Sequence, residues 1–521
     1  MKTISRNVLC AIPSITVSLA ITGCHRPEMS QPDDPLRVQA DEIAIVSTPD
    51  HPKPPFQFSS NDEKLLDEIQ HATFHFFWTS VSPETGMVYD RTSSDVISIA
   101  GVGFQLAALP IGVERGWVTR DQARGRALMI LAALENEPSN RKAGLFYHFI
   151  NPHDASARRV GRELVVSTVD SAILFAGMLT AGQYFDAEVA DIANRLFADA
   201  DWSFFLAEPG PDAPPGQFLS LGWKPESDAD PTGNGELLHF YWLDSGDEHR
   251  LVTFLAACAP KPENRIPTSV YWNLRRQLGW HEGQGHIVWF PYSGALFTAF
   301  FAHCFIDYAD LGLDNPASHG VNNRPRVDWW ENSRRIVNMH RDKAIENPLG
   351  LPTLRPDAWG LSACDGPDGY IVPGLFPEPV EMIGATAGRD FATYTPKEDW
   401  GPGVIPPYAA GASIMFEPEL AVRALRLAHA AAASDGSHSV WSGSPPAGQG
   451  FTDSFRLDAS GQVDWSADDF VAISQGPLLL GIENARSGLI WDLFMSHPAI
   501  ERGKTRLGLK TRPAGLRPGT R

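Results

Sequence analysis

Six carboxylates stand beside aromatic residues and glycines: Asp90 in VYDR, Asp170 in VVSTVDSAI, Glu226 in GWKPES, Glu236 in NGELLHFYW, and Asp365 and Asp368 in ACDGPDGY. Two carboxyl groups facing each other across a cleft are enough for glycoside hydrolysis, one protonating the departing oxygen while the other activates water or attacks the anomeric carbon. An acidic residue at a helix start is ordinarily a cap or a solvated charge. Asp170 differs, because it interrupts an apolar run of Val165, Val166, Val169, Ala172, Ile173 and Leu174, where an unpaired charge is costly. A buried polar purpose is expected of it. The chain has no GxxxxGK[ST] phosphate loop, no HExxH and no GxSxG elbow, so kinase, zincin and α/β-hydrolase chemistry are unsupported. No cofactor-binding motif stands out.

The elements that must position these groups read as helices. Apolar periodicity predicts helices over Glu63 to Trp78, Ser98 to Ile111, Thr119 to Glu135, Ser167 to Gln183 and Ala187 to Leu206. Thr119 followed by Gln122 is a capping box that opens the third of these. Further candidates are Glu236 to Leu243, Glu248 to Ala257, Gly294 to Tyr308, Val327 to Asn347, Pro418 to Ala433 and Gln475 to Met495. Strand alternation is scarce. About a dozen helices with Gly/Pro/Trp-rich loops leave an α-solenoid or a closed toroid; the absence of a repeat of fixed period favours the toroid, and the expected fold is all-α, an (α/α)6 toroid of paired helices. Trp223, Trp242, Trp272, Trp280, Trp289, Trp359 and Trp400 fall in or beside loops, which as a group predicts an aromatic-lined cavity suited to sugar rings.

Composition narrows the ligand. Of 521 residues, 43% are hydrophobic, and 62 acidic against 43 basic residues give a net charge of −19. Such a surface repels phosphate backbones, which argues against nucleic acid as a partner and favours a neutral ligand. Lys2 and Arg6, a mostly apolar run over 8–22, and Ile21, Thr22 and Gly23 before Cys24 form the pattern of a bacterial lipoprotein signal. Acylation of Cys24 would anchor the protein to a membrane of the cell envelope, facing the periplasm or the cell exterior. Residues 25–60, rich in Pro and Asp, are expected to be a flexible linker, residues 61–503 the catalytic domain, and residues 504–521 a basic disordered tail. Cys258, Cys304 and Cys364 are too few and too scattered for a disulfide framework.

The strings FHFFW, ETGMVYDR, SIAGVGFQLAAL, GLFYHF, STVDSAILFAG, LGWKPES, WGLSACDGPDGY, PPYAAGASIMFEPELAV and ISQGPLLLGIENARSGLIWDLFMSHP resemble the bacterial glucoamylase-like domain. That group is similar to endo-β-1,2-glucanases and to the glucan-processing domain of cyclic β-1,2-glucan synthases, and the resemblance runs from about residue 62 to residue 503. It implies an (α/α)6 toroid with a sugar-binding cleft at one end, no metal and no cofactor, and a glucan substrate with β-1,2 as the expected linkage. By the same resemblance Glu236 matches an acidic residue at a helix start and is expected to be the general acid, with Asp170 as the second catalytic carboxylate. Asp90, Arg91, Tyr147, His148, Trp223, Glu226, His303, Trp359, Asp365 and Tyr370 are expected to bind substrate. The sequence departs from the family pattern at Val165, where a glutamate is common and Glu163 is offset by two. It departs also at Ala299 and Phe300, where a His-Gln pair is common, and in a long insert over 374–400 with Glu378, Glu381, Asp390, Glu398 and Asp399.

Hydrolysis of a β-glucan is therefore the leading expectation, with inversion favoured over retention and the choice set by the separation of the two carboxylates. A transglycosylase acting on the same glucans is the alternative within enzymes. A glycan-binding lipoprotein without turnover is the alternative outside them.

Overall fold

The computed structural model describes residues 42–48, 50–209, 216–380 and 398–510. The predicted signal peptide with Cys24, most of the predicted linker, Glu381 and Asp390 of the insert, and residues 511–521 lie outside the described residues.

Helices that are apolar on every side must be enclosed by other protein, whereas helices with one apolar stripe lie outside. This rule sorts the chain. In α2 (Ile99–Glu114) 14 of 16 residues are buried and in α4 (Thr168–Tyr184) 13 of 17, while α1 (Ser60–Thr79) and α3 (Arg120–Asn136) face outward on one side. In α3 the buried residues Ala123, Ala127, Ile130, Leu131 and Leu134 form the single stripe of an outer helix. The same alternation continues through α5 (Ala187–Asp199), α6 (Asp247–Cys258), α7 (Thr268–Asn273), α8 (Tyr308–Leu311) and α9 (Trp329–Glu346). It ends with α10 (Pro407–Ala412), α11 (Pro418–Ala430), α12 (Ala472–Arg486), α13 (Leu489–Met495) and α14 (Pro498–Arg506).

The inner members close on themselves. Helix α4 packs against α2 and α6, α2 against α12, and α12 against α10. Between α6 and α10 the ring is completed by two short 3-10 turns, Leu296–Ala299 and Ala302–Cys304. These turns are tied on both sides: the Ala302 amide donates to Asp247 of α6, Asn484 of α12 donates to the Cys304 carbonyl at 2.9 Å, and Phe300 meets Tyr408 of α10 with ring centroids 6.1 Å apart. The expected all-α toroid is what the chain forms. One contact in it is backbone to backbone. A Cβ on Gly177 of α4 would stand 1.9 Å from the carbonyl oxygen of Gly103 in α2, so these helices touch where neither has a side chain.

Several sequence expectations shift. The segment predicted as a helix from Glu236 begins instead as the strand Gly235–Leu237, because its residues pair antiparallel with Gly222–Pro225. The helix expected over Gly294 to Tyr308 is broken into the 3-10 turns named above, and the long one ending at Met495 is split by Gly488, whose φ of 76° no continuous helix allows. The predicted linker is not all loose: Ala44–Ile45 pairs in parallel with Arg326–Val327, Ile43, Ile45 and Phe56 are buried, and Lys53 Nζ lies 3.1 Å from Asp328. At the other end α14 runs on to Arg506, past the expected boundary at 503. Cys258, Cys304 and Cys364 are buried and free. Among the described residues no helix is long and apolar enough to cross a membrane.

Candidate active site

Short strands sit on the loops that enter the inner helices, and they fix what stands at that end of the ring. Ile97–Ser98 runs straight into α2 and pairs with Phe149–Ile150. Val166–Ser167 runs into α4 and pairs with Gly222 and Trp223. His148 lies between them: its amide donates to the Val165 carbonyl at 2.9 Å, and its carbonyl accepts from Ile99 at 3.1 Å. Asp90 is fastened to the start of α12, its carbonyl accepting from the Ala472 amide at 2.8 Å. Asp365 lies on Cys364–Gly366, next to Ala363, whose carbonyl accepts from Tyr408 of α10 at 2.8 Å. The N-terminal ends of α2, α4, α6, α10 and α12 thus converge on one set of charged side chains.

That set has two groups. In the first, Arg91 donates to both carboxylate oxygens of Asp365 at 2.9 and 3.0 Å and to Asp90 at 3.4 Å, with Asp469 3.7 Å away. Beneath it the buried Asp453 accepts from the Asp365 amide at 2.7 Å, while Ser454 donates to the Asp365 carbonyl. Burial, and then the neighbouring charge of Asp365, push the Asp453 carboxyl up to about 7. Burial likewise raises Asp90, against the pull of Arg91 and His148. Tyr370 pairs in register with Asp365, and burial raises its phenol.

The second group spans α4 and α6. Asp170 is in the first turn of α4, whose cap is Ser167, and it is mostly buried. His148 Nε2 lies 3.7 Å from Asp170 Oδ1, and His148 Nδ1 lies 2.6 Å from Glu163 Oε1. Burial alone would lower this imidazole, but the charges of Asp170, Glu163 and Asp90 outweigh it and push it up to about 9. Glu248, in the first turn of α6, is partly buried. Burial, then the negative charges of Asp170 and Asp247, push its carboxyl up to about 8, and among the described residues no hydrogen bond or ion pair reaches it. A carboxylic acid that is protonated at neutral pH, unbonded and beside a second carboxylate is what general-acid catalysis requires.

Glu236 has the opposite character. It is exposed on its strand, 2.8 Å from Lys224 Nζ, and Lys224 lowers its carboxyl. It would arrive at neutral pH without a proton to give. Of the residues singled out from sequence, Asp90, Arg91, His148, Asp170, Asp365 and Tyr370 come together, and Glu236 and Glu226 stand apart on the exposed strand arm. Asp368 is exposed at the turn of its hairpin. Four others are core residues. Trp223 is buried beneath Lys142, Trp359 is fully buried, His303 meets Ser333 at 3.0 Å inside the ring, and Tyr147 is buried with its hydroxyl bonded to the Pro231 carbonyl. Trp242, Trp272 and Trp289 are buried too, leaving Trp280 exposed and Trp400 partly so. The tryptophans mostly build the core, since an indole in a loop buries as much area as one in a helix.

Sequence reasoning missed Glu248, Glu163 and Asp453. Glu248 had a local signal as an acidic residue opening an apolar-patterned helix, and Glu163 lies two residues from the position where the resembled family often has a glutamate. Among the described residues no group of three or more His, Cys, Asp or Glu side chains is placed to hold a metal ion.

Comparison with known proteins agrees with this architecture. Residues 239–498 match the family model described as putative glucoamylase. The exo β-1,2-glucooligosaccharide sophorohydrolase (non-reducing end) of Parabacteroides distasonis is 26% identical over 480 residues, covering 86% of this chain and 58% of that relative. The chain therefore spans little more than half the length of that curated relative. A crystal structure of a putative glucoamylase from Bacteroides uniformis superimposes with a TM-score of 0.67 at 28% identity, covering 88% of this chain and 99% of the other. The endo-β-1,2-glucanase of Chitinophaga pinensis gives 0.67 at 24% identity, over 87% and 98% of the two chains, a likeness of fold. With the closed helical ring and the matched segment from 239 to 498, the chain is similar to the glucoamylase-like family.

Proposed function

We propose that this protein is a glycoside hydrolase that cleaves β-1,2-glucan, with Glu248 as the general acid. The observation that carries the reading is the state of Glu248: partly buried, without a hydrogen bond or ion pair among the described residues, and raised to about 8 by burial and by Asp170 and Asp247. In the reaction Glu248 gives its proton to the glycosidic oxygen as that oxygen leaves the anomeric carbon. A water oxygen bonds to the same carbon, and its proton passes to a carboxylate of the group around Arg91. Asp170 acts on Glu248, its negative charge keeping the acid protonated between turnovers. The β-1,2 linkage is supported by the substrates named for the relatives from Parabacteroides distasonis and Chitinophaga pinensis.

Product analysis on a panel of linkage-defined glucans tests this. The expected result is sugar release from β-1,2-glucan and not from β-1,3- or β-1,4-glucan. Binding of β-1,2-glucan with no release by the wild-type chain would instead mark a glycan-binding protein.

We also propose that the enzyme works at the bacterial cell envelope, held by a lipid on Cys24. The supports are Lys2 and Arg6, the apolar run over 8–22 and the small residues before Cys24. Cys24→Ser should move the protein to the soluble fraction or leave it unprocessed, and normal lipid labelling of that variant would exclude the anchor.

A further inference from the structure

His148 is placed with unusual strictness for a residue outside any helix. Its amide and carbonyl are bonded to the segments that enter α4 and α2, and its ring stacks on Phe149 with centroids 3.8 Å apart. The backbone of His148 is thus fixed between the entries to both inner helices, and its ring is held by Phe149, Glu163 and Asp170. In that orientation Nδ1 is 2.6 Å from Glu163 Oε1, a strong charge-assisted hydrogen bond, and Nε2 is directed to Asp170 Oδ1 at 3.7 Å, an ion-pair distance. Glu163 itself is held by a two-way backbone pairing with Val160, both bonds being 2.9 Å.

The geometry points to Glu163 and His148 as a positioning pair, in which Glu163 fixes the imidazole as a cation and that cation holds Asp170 as the carboxylate beside Glu248. The charged groups facing the ring come from three elements: Glu163 from the turn before α4, Asp170 from α4 and Asp90 from the loop before α2. All three are acidic, so nothing opposes the cation except its own burial. Asp170 lies 3.7 Å from His148, and its negative charge also acts on Glu248 of α6. Two carboxyl groups side by side tend to share a single proton. A fixed cation next to Asp170 favours leaving the proton on Glu248, whose carboxyl is the one raised. His148 thus acts through Asp170 rather than on substrate, and the pair assigns the proton to Glu248, an inference that rests on the reading of Glu248 as the acid.

The test uses the full chain with isotope-labelled histidine, following the His148 imidazole by NMR across pH, together with the pH profile of kcat/KM on β-1,2-glucan. In the wild type His148 is expected to remain protonated through neutral pH. Glu163→Gln should lower its titration midpoint by about one pH unit or more, and Asp170→Asn should also lower it. In His148→Gln the alkaline limb of the kcat/KM profile, which reports Glu248, should shift by about one pH unit while kcat falls about tenfold or more. Should His148 titrate as an ordinary histidine in the wild type, or should Glu163→Gln leave its midpoint unmoved, the pair is overturned. The titration needs no turnover. A wild-type protein that shows it and cleaves no glucan sinks the glucanase reading and leaves the pair standing. If His148→Gln fails to fold, Glu163→Gln carries the same test with the histidine in place.

Discussion

Arg91 Nη1 grips both carboxylate oxygens of Asp365, at 2.9 and 3.0 Å, across a sequence separation of 274 residues. The same guanidinium reaches Asp90 and Asp469, so one cation balances three acids, and Asp453 lies directly behind Asp365. Arg91→Ala leaves those charges uncompensated in a largely buried place. It should cost about 3 kcal/mol of stability or more, measured by chemical denaturation, and should abolish turnover. Arg91→Lys keeps the charge but not the fork, and should retain the fold while losing about tenfold or more in kcat.

The proton on Glu248 sets the alkaline edge of activity. Because its carboxyl is raised to about 8, kcat/KM should hold through neutral pH and fall as pH rises through about 8. Glu248→Gln should lower kcat by about 10² to 10⁴ with glucan binding kept. The sign for stability follows from linkage: the folded state holds this proton more tightly than the unfolded chain, so the wild type loses stability as pH rises from the ordinary glutamate range through about 8. Glu248→Gln, which carries no charge to bury, should therefore melt higher than the wild type at pH 8 and equal to it at pH 4. Equal melting curves at both pH values would contradict the burial argument.

Asp170→Asn separates a role in the site from a role in the fold. The amide keeps the volume and removes the negative charge that Glu248 feels. The variant should be folded and nearly inactive, and any residual activity should lose its alkaline limb at a lower pH than the wild type. An active protein with a depressed melting temperature would make Asp170 a structural charge.

Glu236→Gln should leave kcat within about threefold of the wild type and the melting temperature unchanged, because an exposed ion pair such as Lys224 with Glu236 contributes little. A fall in kcat of about a hundredfold or more would return the acid role to Glu236.

Two exposed aromatics, Phe240 and Tyr292, stand near the start of α6. Tyr292 packs on Phe290, and Phe290 packs on His249, the residue after Glu248. A ring exposed to water and anchored to the acid's own helix is placed to stack on a glucosyl face. Tyr292→Ala should raise KM several-fold with a smaller change in kcat, read by steady-state kinetics on β-1,2-oligosaccharides.

Much of the ring was legible because burial leaves a plain mark on sequence. Helices α2 and α4 are apolar on nearly all faces, and the Thr119 and Gln122 box opens α3 as expected. The strand at Glu236 was not legible. Its pairing with Lys224 depends on a partner brought in by the loop and not on its own periodicity. The site was half legible for a related reason. Asp170 is conspicuous as a charge within an apolar run, and Asp90, Arg91 and Asp365 sit in distinctive loops. Glu248 follows Asp247 and precedes His249 and Arg250, so it reads as one more polar residue at a helix start. Its distinction lies in the neighbour it meets from α4, which only the closed ring supplies.

The bare contact between Gly103 and Gly177 bears on how the molecule can yield. With no side chains to rearrange between them, α2 and α4 have no sliding layer, and any shear would drive one backbone into the other. The loops that carry Asp90, His148 and Asp170 are mounted on this stiff block. Opposite it, the ring is bridged by the short turns between Leu296 and Cys304, which meet α6 through Asp247, α12 through Asn484 and α10 through a ring contact with Tyr408. Stiffness is thus uneven around the ring: the α2–α4 side is held backbone against backbone, while the α6–α10 side is joined through side chains and the 3-10 turns.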